Sequence, residues 1–294
     1  MRQPASPAPT DDELGRDGTF TVEERWVPGP HDAPKVSLLM CRPVAVKSAT
    51  GAVYFIHGGG MVSGDHRSTI QEALDWAQEF DLSVVSVSYR LAPETPHPGP
   101  VEDCYAGLLW LATHAAELGI DSERIVVAGA SSGAGLAAAT VLLARDRDGP
   151  SVLAQLLSCP MLDDRSDSVS AQQMTGLGPW DRASNQFAWR ALLGTEPGGP
   201  DISPYAAPAR AQDLSDLPPA FLDAGSAETF RDEAVAYASH IWAAGGDAEL
   251  HVWPGGFHRF DYLAPSASLS QGAKAARVAW LRRQLTSTEP GRRQ

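Results

Sequence analysis

No stretch of this chain approaches the roughly eighteen consecutive apolar residues of a membrane span, which argues against a helical integral membrane protein. Cysteine is scarce: Cys41, Cys104 and Cys159 are all that 294 residues contain. None stands in a Cys-x-x-Cys pair, so neither a zinc knuckle nor a thioredoxin-type redox motif is indicated. A sparse, odd count fits a reducing compartment, where free thiols serve as small apolar side chains. Basic charge is in deficit, with 23 Lys and Arg against 36 Asp and Glu and a formal net charge of −13. Such a surface repels phosphate backbones and anionic lipid, so neither a nucleic-acid partner nor a membrane partner is expected. The opening residues, Met1-Arg2-Gln3-Pro4-Ala5, lack the apolar core of a signal peptide. A cytoplasmic location is therefore expected. No internal repeat is visible.

Apolar residues make up 43% of the chain and charged residues 20%, the balance of an ordinary globular protein. Residues 1–18, rich at first in Pro, Ala, Ser and Asp, are expected to be disordered, and 286–294 to form a polar tail. Between them, 19–285 reads as one domain in which strands and helices alternate. Strands are expected at 19–27, 35–42, 52–56, 83–89, 124–128, 153–158, 220–224 and 249–253. Helices are expected at 101–118, 136–144, 232–244 and 269–285, the last with Ser268 as N-cap. In the 232–244 helix, Val235, Ala238, Ile241 and Trp242 are expected to face inward. Short, wholly apolar strands separated by amphipathic helices imply an α/β protein with a mostly parallel sheet covered on both faces. About 160–219 breaks the alternation and is too long for a plain loop. It is expected to be an insertion over the active edge of the sheet, with a helical segment at 182–193.

Gly129-Ala130-Ser131-Ser132-Gly133 fits G-x-S-x-G, follows a predicted strand and opens a predicted helix. That is the setting of a nucleophile elbow, which holds its serine in a strained turn while flanking glycines let strand and helix approach. His57-Gly58-Gly59-Gly60 directly follows another strand. Residues without side chains let backbone N–H groups point at a developing oxyanion. His57 itself reads as a loop-ordering residue, because His258, in Gly255-Gly256-Phe257-His258 beyond the last strand, is better placed as a general base. The acid that orients this base is expected just past the 220–224 strand, where Asp223, Glu228, Asp232 and Glu233 are candidates. Asp223 lies within the strand, and Asp232 and Glu233 start a helix, where acids suit the helix dipole without any catalytic task. Glu228, in the intervening loop, is favoured to accept the His258 N–H and stabilise the imidazolium.

His57-Gly-Gly-Gly60, Tyr89-Arg-Leu-Ala-Pro-Glu94, Gly129-x-Ser131-x-Gly133, Phe230-Arg-Asp-Glu233 and the closing Gly-Phe-His258 occur in an order that resembles the hormone-sensitive-lipase-like branch of the α/β-hydrolases, over about residues 20–285. The resemblance implies an eight-stranded sheet, a cap over the active site and hydrolysis of carboxylic esters. Because the first strand begins near residue 19, where family members commonly spend more residues on N-terminal cap helices, the cap here is expected to be small and built mainly from the insertion. Carried onto this chain, the resemblance implies Ser131 as nucleophile, His258 as base, and the amides of Gly59, Gly60 and Ser132 as oxyanion hole. Two departures stand out. The family's acid is usually Asp, whereas Glu228 is one methylene longer, so its loop must sit farther back. The elbow usually reads Gly-Asp-Ser-Ala-Gly-Gly, and here Ala130, Ser132 and Ala134 replace three of those residues.

Met61 and Val62, beside the oxyanion loop, are candidate substrate-pocket residues. Trp180, Phe187 and Trp189 either line that pocket or pack the insertion onto the sheet. The expected activity is a serine carboxylesterase acting on short- to medium-chain esters through an acyl-enzyme, with a small-molecule ester as partner and no cofactor or metal. A homodimer through the last strand and helix follows from the resemblance alone. The same machinery also suits a deacetylase, a lactonase or a cyclase acting on a natural product, and a non-catalytic receptor on the same scaffold is a further reading.

Overall fold

The computed structural model describes residues 8–31, 33–45 and 48–287. Eight strands form one sheet: β1 (Phe20–Val27), β2 (Val36–Pro43), β3 (Thr50–Ile56), β4 (Ser83–Ser88), β5 (Ile120–Ala130), β6 (Ala154–Ser158), β7 (Ala220–Ala227) and β8 (Ala248–Phe257). Their order is β1-β2-β4-β3-β5-β6-β7-β8. β2 runs antiparallel to both β1 and β4, and every pairing from β4 to β8 is parallel. The α/β fold with a mostly parallel eight-stranded sheet is therefore as expected.

The uninterrupted apolar strands have a simple cause. β3 is buried at every position, and its side chains alternate between two cores. Tyr54 and Ile56 join α3 (Gly99–Thr113), α5 (Ser132–Asp146) and α8 (Arg231–Ala243) on one face. Val53 and Phe55 join Leu14 of α1 (Asp11–Gly15), Leu74 and Trp76 of α2 (Gln71–Phe80), and Trp280 and Leu281 of α10 (Ser268–Ser287) on the other. Each fully buried side chain of this size stabilises the fold by roughly 1.5–3 kcal/mol, so both layers are needed to hold the sheet. α4 (Ala115–Leu118) continues from α3, and no helix among the described residues is long and apolar enough to cross a membrane.

Several elements differ from the sequence expectation. α1 lies within the segment expected to be disordered. A Thr10–Glu13 capping box starts it, and its Leu14 is buried against the sheet. Residues 1–7 of that segment, and 288–294 of the expected tail, lie outside the described residues, while α10 runs through Ser287. Ser268 is the first residue of α10 rather than its cap. α2 was not expected at all. Its first residue follows Ile70, which makes no side-chain cap, so the usual start signal is missing, although Ala73, Leu74, Trp76 and Ala77 form a buried face. α8 is rotated from the expected phase. It buries Ala234, Tyr237, Ala238 and Ile241, leaving Val235 and Trp242 exposed, and the Trp242 indole donates to the Ala248 carbonyl. Tyr237 brings more apolar area inward than Val235 does, which favours the observed rotation.

The stretch between β6 and β7 carries α6 (Val169–Gln173), α7 (Arg182–Leu193) and a 3₁₀ turn at Pro208–Arg210. The side chain of Asp181 caps α7 by accepting from the Ser184 amide. This stretch is pinned near the sheet edge by the Thr229 hydroxyl, which donates to the Trp180 carbonyl. In a parallel sheet all strands end on one edge, and the segments after β3, β5, β6, β7 and β8 bring His57, Ser131, Cys159, Glu228 and His258 to that edge.

Candidate active site

Ser131 sits at φ 57° and ψ −125°, between the last residue of β5 and the first of α5. A non-glycine residue there is strained, and the surroundings hold it in place. Its amide donates to the Ser158 carbonyl at 2.8 Å, and its own carbonyl accepts from the Met161 and Ala134 amides. The turn is possible because its neighbours have no side chains. A Cβ on Gly133 would stand 2.1 Å from the Ile56 carbonyl oxygen, and one on Gly129 would stand 2.4 Å from the Gly133 carbonyl oxygen.

The Ser131 hydroxyl is 3.0 Å from His258 Nε2, within hydrogen-bond range. His258 follows β8 and is 6% exposed. Phe230 meets its ring edge-on at 5.2 Å between centroids, and Trp180 lies tilted at 6.3 Å. On the far side of the ring, Nδ1 stands 3.6 Å from Glu228 Oε2. Glu228 is 1% exposed, and neither of its carboxylate oxygens meets a hydrogen-bond donor among the described residues.

The other three candidate acids are engaged elsewhere. Asp223 receives the Arg277 guanidinium and the Trp253 indole, and burial pushes its carboxyl up against the opposing pull of Arg277. Asp232 accepts from the Ser170 amide at 2.7 Å and from the Arg231 side chain. Glu233 accepts from the Leu162 amide at 3.0 Å, and its burial drives its carboxyl well above the ordinary range.

The glycine-rich loop folds against the elbow. Gly59, Gly60 and Met61 all have positive φ, and the Met61 amide donates to the Ser132 hydroxyl at 3.1 Å. Among the described residues no acceptor meets the amides of Gly59, Gly60 or Ser132. Met61 is buried and Val62 half-buried in the core beside this loop. Trp180 reaches the same loop: a Cβ on Gly60 would lie 2.4 Å from its ring edge. Trp189, by contrast, is fully buried in the core, and Phe187 is 62% exposed on α7. Trp180, Phe187 and Trp189 therefore have three separate environments, and of the three only Trp180 has its ring beside that of His258.

His57 orders the loop rather than facing Ser131. Its ring stacks on Tyr89 at 4.3 Å, Tyr89 donates to its carbonyl, and its Nδ1 faces the Gly58 carbonyl at 2.8 Å. Burial pushes its pKa down to about 4. In the Tyr89–Glu94 segment, Arg90 forks onto fully buried Asp103, and the Ala92 amide donates to the Met61 carbonyl, tying that segment to the glycine loop.

Three features were missed in the sequence. Phe230 packs on the ring of His258. Arg277 of α10 joins Asp223 of β7 to Asp261 of α9 (Phe260–Leu263), the elements flanking Glu228 and His258. Cys159 lies beside Glu228 and His258. Its position at the carboxyl end of a predicted strand was the available signal. A surface concavity of about 360 Å³ lined by Tyr105, Leu109 and Trp110 shares no residue with this group and is separate from it.

Comparison with known proteins bears on the fold and the family. Residues 53–262 match a family model described as the alpha/beta hydrolase fold. Carboxylesterase NlhH of Mycobacterium tuberculosis is 35% identical over 262 residues, covering 85% of this chain and 80% of that protein. Esterase LipI of the same organism is 35% identical over 210 residues, covering 68% of this chain and 62% of that protein, so the chain spans less than two thirds of it. Among solved structures, a bacterial heroin esterase superposes with a TM-score of 0.88 at 40% identity, over 91% of this chain and 85% of that one.

Proposed function

The chain belongs to the α/β-hydrolases, in their hormone-sensitive-lipase-like branch, and from that premise we propose that it is a serine carboxylesterase acting on short- to medium-chain carboxylic esters. The observation that carries this reading is the Ser131 hydroxyl 3.0 Å from His258 Nε2, with Glu228 on the opposite side of the ring.

In the proposed mechanism Ser131 Oγ attacks the ester carbonyl while His258 Nε2 takes its proton. Glu228 stabilises the imidazolium and holds the tautomer that leaves Nε2 free to accept. Its 3.6 Å separation closes when Nδ1 becomes a charged donor, since charge-assisted hydrogen bonds are shorter and stronger. The oxyanion lies against the amides of Gly59, Gly60 and Ser132. These are preorganised by the glycine loop and the Met61–Ser132 contact, so little rearrangement accompanies the reaction. The imidazolium then protonates the departing alcohol. Water, deprotonated by the same histidine, releases the acid from Ser131.

Trp180 supports the restriction to smaller acyl groups, because its ring edge presses on the oxyanion loop beside His258. The substrate is a neutral small-molecule ester, and no cofactor enters any step. The test is hydrolysis of p-nitrophenyl esters of graded acyl length by wild type and Ser131→Ala. The expected outcome is turnover highest on short chains and a loss of about 10³-fold or more in kcat for the variant. Stoichiometric labelling of wild type by a serine-directed phosphonate, absent in Ser131→Ala, accompanies it. An inert, unlabelled wild type overturns the reading.

A further inference from the structure

Behind the base lies a buried group of donors that hydrogen bonding leaves unused. Among the described residues His258 Nδ1 meets no acceptor within hydrogen-bond range, and no donor meets either oxygen of Glu228. The third wall is Cys159, a free, buried thiol directly after β6. One ligand atom each from Cys159, Glu228 and His258 lie within 4.8 Å of one another. Since Nε2 faces Ser131, the imidazole presents Nδ1 to this group.

A thiol, a carboxylate and an imidazole nitrogen are together the donor set of a borderline-soft divalent cation. Bonds of about 2.0–2.3 Å in a tetrahedral site place neighbouring donors roughly 3.3–3.7 Å apart. The Nδ1–Oε2 separation of 3.6 Å already fits that edge, although it is too long for a hydrogen bond. The thiol lies within 4.8 Å of both, so coordination requires it to close on them, and Cys159 has χ1 rotation available for that.

We propose that Cys159, Glu228 and His258 Nδ1 form an inhibitory site for a zinc-like divalent cation behind the base. The effect on rate rests on the esterase reading above, whereas the binding does not.

Charge and protons balance as follows. Burial, reinforced by the Glu228 charge, keeps the Cys159 thiol well above its ordinary pKa, so it starts protonated. Binding breaks the S–H bond, forms an S–metal bond and releases one proton to solvent. The imidazole stays neutral, its proton passing by solvent from Nδ1 to Nε2. One carboxylate, one thiolate and one divalent cation sum to zero, so the cation neutralises the buried Glu228 carboxylate. With Nε2 now carrying hydrogen, the imidazole donates to Ser131 Oγ and no longer removes its proton.

The test uses the full chain and Zn²⁺. Equilibrium dialysis of Ser131→Ala should give one bound Zn²⁺ per chain, and Ser131→Ala/Cys159→Ala should bind at least tenfold more weakly. Loading Ser131→Ala with Co²⁺ should produce a thiolate-to-cobalt charge-transfer band that the double variant lacks. If Cys159→Ala misfolds, Cys159→Ser keeps the volume and must also lose the band. In the rate arm, p-nitrophenyl acetate hydrolysis by wild type should fall at least tenfold with Zn²⁺ and recover with EDTA. Cys159→Ala, referred to its own metal-free rate, should resist. Absent or superstoichiometric binding, binding indifferent to Cys159, or no charge-transfer band overturns the site. If Zn²⁺ binds through Cys159 but metal-free wild type hydrolyses no ester, the site stands and the esterase reading falls.

Discussion

Replacing Arg277 with Gln is expected to unfold this protein at markedly lower temperature, because Arg277 is the cation that three buried or part-buried acids share. Arg277 is 2% exposed. It donates to Asp223 Oδ2 from Nη2 at 2.7 Å, to Glu72 Oε1 from Nη1 at 2.8 Å, and to Asp261 Oδ2 from Nη1 at 2.5 Å. Burial pushes Asp223 and Glu72 up. It would do the same to Asp261, but the Arg277 and Arg259 guanidiniums hold that carboxyl well below its usual range. Glutamine fills part of the volume but carries no charge and cannot fork. Removing one partner of a buried ion pair costs about 3–5 kcal/mol, a large share of the roughly 5–15 kcal/mol that holds a typical domain folded. At about 2 °C per kcal/mol for a chain of this length, Tm should fall by about 6–10 °C. Differential scanning calorimetry at neutral pH measures it, and a fall below about 2 °C refutes the reasoning. Converting the acids as well, in Arg277→Met with Asp223→Asn and Asp261→Asn, should recover more than half of the loss, because the penalty is chiefly the stranded charge. Below the melting range, Arg277→Gln should lower kcat more than it raises KM. Two of its three ion-pair partners, Asp223 and Asp261, lie five residues before Glu228 and three after His258.

Three further outcomes are expected. Glu228→Gln should lower kcat by about 10³–10⁴-fold with little change in KM, since the amide supports the wrong tautomer of His258, and Glu228→Asp should fall between, its carboxylate being one methylene short. His57 takes a proton in the unfolded chain near pH 6.5 but in the folded protein only near 4, so its contribution is full above 6.5 and lost as pH falls through that window. His57→Asn should remove up to about 3 kcal/mol of the acid-side slope, read by urea unfolding between pH 4 and 7, and an unchanged slope counts against that origin. Gly133→Ala should yield little soluble protein, because its Cβ would lie 2.1 Å from a carbonyl oxygen of β3, and a normal yield with normal Tm contradicts the close packing.

The local features of this protein were legible because they depend on short-range chemistry. Strand 52–56, followed by histidine and three glycines, needed no distant partner to be recognised, and Ser131 is strained by its own strand-turn-helix junction. The phase of α8 was misread, since Val235 and Tyr237 are both apolar and what decides between them is the sheet they meet. Phe187 and Trp189 are both large aromatics two positions apart, yet Trp189 is in the core and Phe187 is exposed.

Sequence alone therefore determined the alternation of strands and helices, the acidic, cysteine-poor character of the chain, and the turns that carry Ser131 and His258. Those follow from periodicity, composition and backbone sterics within a few residues. Tertiary structure alone decided which acids are engaged. Asp223 meets Arg277 from 54 residues away, Asp232 meets Ser170 from 62, and Glu233 meets Leu162 from 71, leaving the Glu228 carboxylate beside His258 with no hydrogen-bond donor among the described residues. It likewise brought Cys159 to the same group, because a parallel sheet gathers the ends of strands far apart in sequence onto one edge.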